Sequence, residues 1–182
     1  MNHSVHKFFI TLLLARWIPR IYSEYCEQVP SSSGVQNNCL PGWYSKGLKI
    51  TSDKYMSYLT CCQNISLPAL QTNCKTFAAG SSGKQFICQE GTLLEGICTS
   101  KDKNSCSGFN ASSYSSFSVT CCEKEDLDVE DLSSCYWSFA NEMGLEISCL
   151  ENELMMGMCG TNSKSDCPGG NYYGVYCCEK PT

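Results

Sequence analysis

Apolar and polar positions along the chain follow a strand-like rhythm rather than a helical one. Short runs rich in β-branched and aromatic residues lead into adjacent cysteines: SYLTCC at 57–62, FSVTCC at 117–122 and YGVYCC at 173–178. Such runs, bounded by turn residues, predict short strands. KQFIC at 84–88 and LEISC at 145–149 read the same way. A turn residue that tolerates positive φ follows each, and EGIC (95–98) and MGMC (156–159) are expected to return as the hairpin partner. The segment YWSFANEM at 136–143 is the one place where a helical turn is expected.

These runs recur because the chain repeats itself. Cysteines stand at 26, 39, 61 and 62, then at 74, 88, 98, 106, 121 and 122, then at 135, 149, 159, 167, 177 and 178. The second and third groups share the spacing C-x13-C-x9-C-x7-C before their terminal pair. The central segments align without gaps. Gly47, Gly96 and Gly157 coincide, as do Leu48, Ile97 and Met158, and Lys54, Lys103 and Lys164. A second glycine lies five residues before the second cysteine in every copy: Gly34, Gly83 and Gly144. Self-similarity at a fixed period defines the architecture before any local reading does. The predicted fold is therefore small, disulfide-rich and mainly β, with three tandem cysteine-stapled modules of short antiparallel strands. The modules span 24–62, 74–122 and 135–178, joined by polar linkers at 63–73 and 123–134.

The first module holds Lys49 and Ser57 where the others hold their third and fourth cysteines. Two cysteines that vanish together are expected to bond each other, which predicts Cys98–Cys106 and Cys159–Cys167. Cys26 and Cys39, Cys74 and Cys88, and Cys135 and Cys149 then pair within their modules with Cys61 and Cys62, Cys121 and Cys122, and Cys177 and Cys178. Neighbouring residues of a strand face opposite ways, so each strand ending in two cysteines is expected to be stapled on both sides. Which cysteine takes which partner stays open, with two arrangements per module. Units of this size bury little core and need such staples.

Composition sharpens the setting. Sixteen cysteines in 182 residues mark a disulfide scaffold. Residues 1–23 carry Lys7, the apolar run FFITLLLA and a polar tail, the pattern of a secretory signal peptide. Cleavage is expected after Ser23, with Ala15 as the alternative site. No later stretch is apolar enough to span a bilayer, so a secreted, extracellular protein is expected. Residues 24–182 hold 10 Lys against 18 Asp plus Glu, a formal charge of 10 − 18 = −8, with no Arg and no His.

Those absences exclude chemistry. Without His there is no Ser-His-Asp triad, no Cys-His pair and no imidazole metal site. Without Arg, bidentate phosphate or base recognition is lost, and nucleic acid is not an expected partner at this charge. No C-x-x-C occurs, so zinc-ribbon and dithiol redox motifs are missing. The acidic run at 126–130 lacks the glycine and terminal glutamate of a calcium loop. Glu90 and Glu151 share a repeat position but belong to separate units. No catalytic residue, cofactor or metal is expected. Candidate binding positions are Trp43, Trp137, Lys103 and Lys164, and Asn64 and Asn110 lie in glycosylation sequons. The segment before each terminal cysteine pair varies most in length, and variable loops on a rigid scaffold are where specificity usually sits. The resulting expectation is a non-enzymatic binding protein of toxin, inhibitor or receptor-ligand type, with an extracellular protein or receptor as its partner. The alternative is a structural component of an extracellular coat, matrix or adhesive secretion.

Overall fold

The computed structural model describes residues 24–53, 55–63, 71–79, 85–89, 91–100, 106, 117–124, 133–160 and 167–180. The leader at 1–23 lies outside them, as do Lys54, Asn64, Glu90, Lys103, Asn110, Lys164 and the acidic run 126–130.

The fold is mainly β. Among the described residues each unit contributes four strands. In the first these are β1 (Tyr25–Pro30), β2 (Gln36–Asn38), β3 (Trp43–Ile50) and β4 (Met56–Gln63). In the second they are β5 (Gln71–Ala79), β6 (Phe86–Ile87), β7 (Thr92–Thr99) and β8 (Phe117–Lys124). In the third they are β9 (Ser133–Ala140), β10 (Glu146–Ser148), β11 (Glu153–Cys159) and β12 (Tyr173–Glu179). A short 3₁₀ turn covers Pro168–Gly170. The strands run into the expected linkers from both sides, so the connectors are shorter than the sequence implied. The helical turn expected at 136–143 is overturned: β9 runs to Ala140 and pairs antiparallel with β12. Alternation explains this, since Trp137 and Phe139 share one face while Ala140 enters the core.

The strands build three four-stranded antiparallel sheets, and no sheet is made from one unit. Sheet order is β1-β4-β3-β10, β2-β7-β8-β5 and β6-β11-β12-β9; we call these sheets A, B and C. Each short second strand is given to a neighbour: unit one donates to unit two, unit two to unit three, and unit three back to unit one. The cycle closes. The expected hairpin between a unit's second cysteine strand and its own glycine strand is thus corrected to pairing across units.

The disulfides give the reason. Cys39, just after β2, bonds Cys61 on β4 at a Cα separation of 5.5 Å. Were β2 the flank of its own β3, two strand spacings would part them, about 10 Å, beyond the reach of a disulfide. Cys88–Cys121 and Cys149–Cys177 impose the same condition, at 5.7 and 5.5 Å. Each of these bonds therefore ties a donated strand, lying in one sheet, to its own unit in another. The first cysteines form a different staple directly across neighbouring strands: Cys26–Cys62, Cys74–Cys122 and Cys135–Cys178, at 4.0, 4.0 and 4.1 Å. Cys98–Cys106 and Cys159–Cys167 complete eight bonds and leave no free thiol. On the chain-entropy model each contributes about 2–4 kcal/mol.

The repeated glycines now have a cause. Donated residues Ser148, Asn38 and Ile87 lie opposite Gly47, Gly96 and Gly157. A Cβ on Gly47 would meet the Ile147 carbonyl oxygen at 2.5 Å; on Gly96 it would strike Asn38, and on Gly157 the Phe86 carbonyl. Before each glycine the register slips by one residue, a bulge holding Lys46, Glu95 and Met156. The carbonyl of each bulged residue accepts from the next donated cysteine: Cys149 N at 2.9 Å, Cys39 N at 2.8 Å and Cys88 N at 2.8 Å. The second repeated glycine supplies the turn into the donated strand, with φ of 79° at Gly34 and 85° at Gly144. Gly34 N bonds Thr99 O and Gly144 N bonds Ile50 O, so these turns also dock on the neighbouring unit.

Strands β3, β7 and β11 all touch one another, placing them around a pseudo-threefold axis. The repeat residues Leu48, Ile97 and Met158 are fully buried there with Leu59, Val119 and Val175. Each such side chain contributes roughly 1.5–3 kcal/mol by leaving water. A second cluster joins Tyr44, Leu93 and Leu154, again one repeat position from three units, with Cys62, Met156 and Cys178.

Gly47→Ala or Gly157→Ala is expected to force the donated strand away from the bulge. The cost is that of overpacking against backbone, about 2–3 kcal/mol, read from urea unfolding of the oxidised protein. A loss below about 0.5 kcal/mol at both sites would contradict the packing described.

Candidate functional site

A fixed repeat architecture lets equivalent surface positions be compared directly. On the outer faces, residues in register form one row per sheet. In sheet A the row is Ser148–Gly47–Thr60–Gln28, and the next is Glu146–Lys49–Tyr58–Pro30. In sheet B the rows are Asn38–Gly96–Thr120–Thr76 and Gln36–Cys98–Ser118–Ala78. In sheet C they are Ile87–Gly157–Tyr176–Trp137 and Cys159–Gly174–Phe139. Identical backbone positions thus carry three different chemistries.

Sheet A is charged and polar. Burial together with a hydrogen bond to Glu146 pushes the Tyr58 phenol up to about 12. Lys49, standing where the other units have a cysteine, lies between Glu146 and Tyr58 in the row. Sheet B is hydrogen-bonded to itself. Ser118 Oγ donates to Gln36 Oε1 at 3.1 Å, Gln36 Nε2 donates to Thr120 at 3.2 Å, and the Thr76 and Thr120 hydroxyls lie 2.8 Å apart. Ser118 is fully buried although it faces outward, as is Cys98 beside it. Cys98 is tied there to Cys106, which is itself buried.

Sheet C is aromatic. Trp137 and Phe139 lie with ring centroids 6.0 Å apart and planes within 11°. Tyr176, directly across from Trp137, has its ring 5.0 Å away at 48°. Gly174 makes the arrangement possible: a Cβ there would meet Phe139 Cδ1 at 2.6 Å, so the ring edge rests on bare backbone. All three rings remain half-buried rather than covered, and Ile87 at the end of the row is 42% exposed. Aromatic cross-strand neighbours stabilise a sheet by about 0.2–1 kcal/mol, too little to require three large rings on an outer face. Trp137, a candidate from the sequence, is therefore at the centre of a cluster. Its companions Phe139 and Tyr176 were not singled out, because their adjacency depends on strand register.

Trp43 has a different environment. It starts β3, packs edge-on against Tyr25 with centroids 5.7 Å apart, and lies against the core. The two candidate tryptophans are not brought together. Glu151 is exposed, and its backbone carbonyl, not its carboxylate, is engaged.

That carbonyl belongs to an ionic clasp in which Glu24, just before β1, meets Lys46 on β3 and Lys180, just after β12. Glu24 accepts from Lys46 Nζ at 2.6 Å and from Lys180 Nζ at 2.8 Å, one carboxylate oxygen to each. Lys46 Nζ donates also to Glu151 O at 3.0 Å, and Lys180 Nζ to the Tyr44 hydroxyl at 2.7 Å. Lys180 sits 4.6 Å from the centre of the Tyr44 ring. Burial lowers the Lys46 pKa, with the nearby Lys180 acting the same way against the pull of Glu24. Each charged group of the clasp is engaged by internal partners, and the clasp reads as structural.

Among the described residues two groups of acidic and cysteine residues come close enough to suggest metal ligation, Glu24 with Cys26 and Cys62, and Glu153 with Cys149 and Cys177. In both, the sulfurs are tied in a disulfide, which removes the thiolates a metal would need. Glu153 is occupied by the Tyr136 hydroxyl at 2.9 Å and the Leu150 amide at 2.7 Å. Among the described residues no helix is long and apolar enough to cross a membrane.

No family model, no curated protein and no solved structure matches the chain.

Glu24→Gln is expected to destabilise the protein by about 1–3 kcal/mol, since it leaves two partly buried ammonium groups without their counter-charge. Lys46→Met in that background places the residue of the equivalent slot, Met156, in the bulge and is expected to restore part of the loss. Chemical denaturation of the single and double variants checks both. A neutral Glu24→Gln would show the clasp to be ornamental.

Proposed function

We propose that the protein is a secreted, non-enzymatic binding protein whose binding face is the outer surface of sheet C. One observation carries this reading. At register-equivalent positions sheets A and B hold Gln28 and Thr76, Pro30 and Ala78, and Thr60 and Thr120, whereas sheet C holds Trp137, Phe139 and Tyr176. The fold accepts small or polar residues at these positions twice over, so the repeat itself does not require aromatics there, although Tyr176 also packs against the second core cluster. Large aromatic residues on a rigid surface give contact area at little conformational cost and dominate binding hot spots.

The supporting context is chemical. A chain with eight disulfides belongs in an oxidising compartment, and residues 24–182 contain no His or Arg for common acid–base or phosphate chemistry. The alternative of a structural coat or adhesive component draws less support. All cysteines bond within the chain, which leaves no thiol for covalent cross-linking between molecules.

The test transplants sheet B onto sheet C. Trp137→Thr, Phe139→Ala and Tyr176→Thr together are expected to keep all eight disulfides and cooperative unfolding. The wild type, immobilised and exposed to extracellular fluid of the producing organism, is expected to retain components that the triple variant does not. Identical retention by both proteins would refute the assignment of this face.

A further inference from the structure

We infer that the aromatic face of sheet C binds a neutral polysaccharide. The inference rests on the assignment of that face as the binding surface and adds the chemical class of its ligand.

Charge is the first argument. The two rows that carry the rings contain Ile87, Gly157, Tyr176, Trp137, Cys159, Gly174 and Phe139, and no charged side chain. The equivalent row of sheet A contains Glu146 and Lys49. On the described residues of these rows a charged ligand would lose hydration without meeting a counter-charge, an unfavourable exchange. Residues 24–182 carry a formal charge of 10 − 18 = −8, which repels anionic glycans, and they hold no arginine to engage sulfate or carboxylate.

The shape and polarity of the rings are the second argument. A pyranose has apolar C–H faces and a rim of hydroxyls. Trp137 and Phe139 stack near-parallel with centroids 6.0 Å apart and Tyr176 lies beside Trp137, so the cluster presents half-buried aromatic surface of the kind that packs on such C–H faces. Trp and Tyr each join an apolar ring to a polar N–H or O–H, the combination that suits them to half-wet contacts. The cluster extends from Phe139 and Trp137 on β9 across to Tyr176 on β12.

The third argument is rigidity. β9 and β12 are joined by Cys135–Cys178, β12 is held from within by Cys149–Cys177, and β11 carries Cys159–Cys167. Rings mounted on strands so stapled lose little freedom on binding, which keeps a modest stacking surface effective.

The experiment uses the full secreted protein with its disulfides intact. The probes are insoluble cellulose and chitin, soluble hydroxyethyl cellulose, and the anionic controls heparin and alginate. Binding to at least one neutral probe is expected, weakened about tenfold by Trp137→Ala, the effect of losing one hot-spot contact. Gln28→Ala, at the matching position of sheet A, is expected to leave it unchanged. Trp43 and Trp137 are the sole tryptophans of residues 24–182. In a Trp43→Phe background the fluorescence of Trp137 therefore reports contact directly and is expected to shift on titration with hydroxyethyl cellulose. Absence of binding to all three neutral probes overturns the inference, as does binding that Trp137→Ala leaves intact, or equal binding to heparin. If neutral probes fail while the triple variant still loses extracellular protein partners, the ligand class is wrong and the face assignment survives.

Discussion

Everything in this fold depends on the close approach of a borrowed strand to a glycine. β3, β7 and β11 each have their own partner on one side only. The other side is filled by two or three residues from the preceding unit of the cycle, seated over Gly47, Gly96 or Gly157 where a side chain would collide with them. The bulge just before the glycine turns a carbonyl toward the donated cysteine amide, so the close approach and the hydrogen bond come as a pair. Remove the approach and each unit is a three-stranded sheet with an open edge, a small and poorly stable object. With it, three such units cover one another's edges in a closed cycle.

The disulfides follow from the same geometry. The bonds of Cys39, Cys88 and Cys149 each span two sheets, and so anchor the donated strand to the unit it came from. The bonds of Cys26, Cys74 and Cys135 lie within a sheet and fix register on the other face. The adjacent cysteines at the end of β4, β8 and β12 are what a single strand needs to hold both. Because the scaffold repeats three times, the outer faces become three trials of one surface, and only their side chains differ. Sheet A carries charge on its face, sheet B hydrogen-bonds its face to itself, and sheet C leaves aromatic rings at the surface.

Much of this was legible in the sequence, though not the exchange itself. The strands ending in cysteine pairs were readable because β propensity, alternation and turn residues agreed. The Cys98–Cys106 and Cys159–Cys167 bonds were readable from the joint loss of both partners at Lys49 and Ser57. The hairpin drawn between 84–88 and 95–98 failed because periodicity marks a strand without naming its neighbour. Strand spacing held the missing information: a second cysteine bound to the terminal pair does not fit in a strand two spacings away. The helical turn assigned to 136–143 failed for a related reason, since Trp137 and Phe139 look helix-compatible until β12 is known to lie beside them. Of the candidate site, Trp137 was visible as an isolated residue; Phe139, Tyr176 and Gly174 acquire meaning from register alone.

The cyclic exchange is tested most directly by backbone nuclear Overhauser contacts in the isotope-labelled, oxidised protein. The account predicts cross-strand contacts of Asn38 with Gly96, Ile87 with Gly157 and Ser148 with Gly47. Contacts of Asn38 with Gly47, Ile87 with Gly96 and Ser148 with Gly157 would instead show each unit closing on itself and would contradict it.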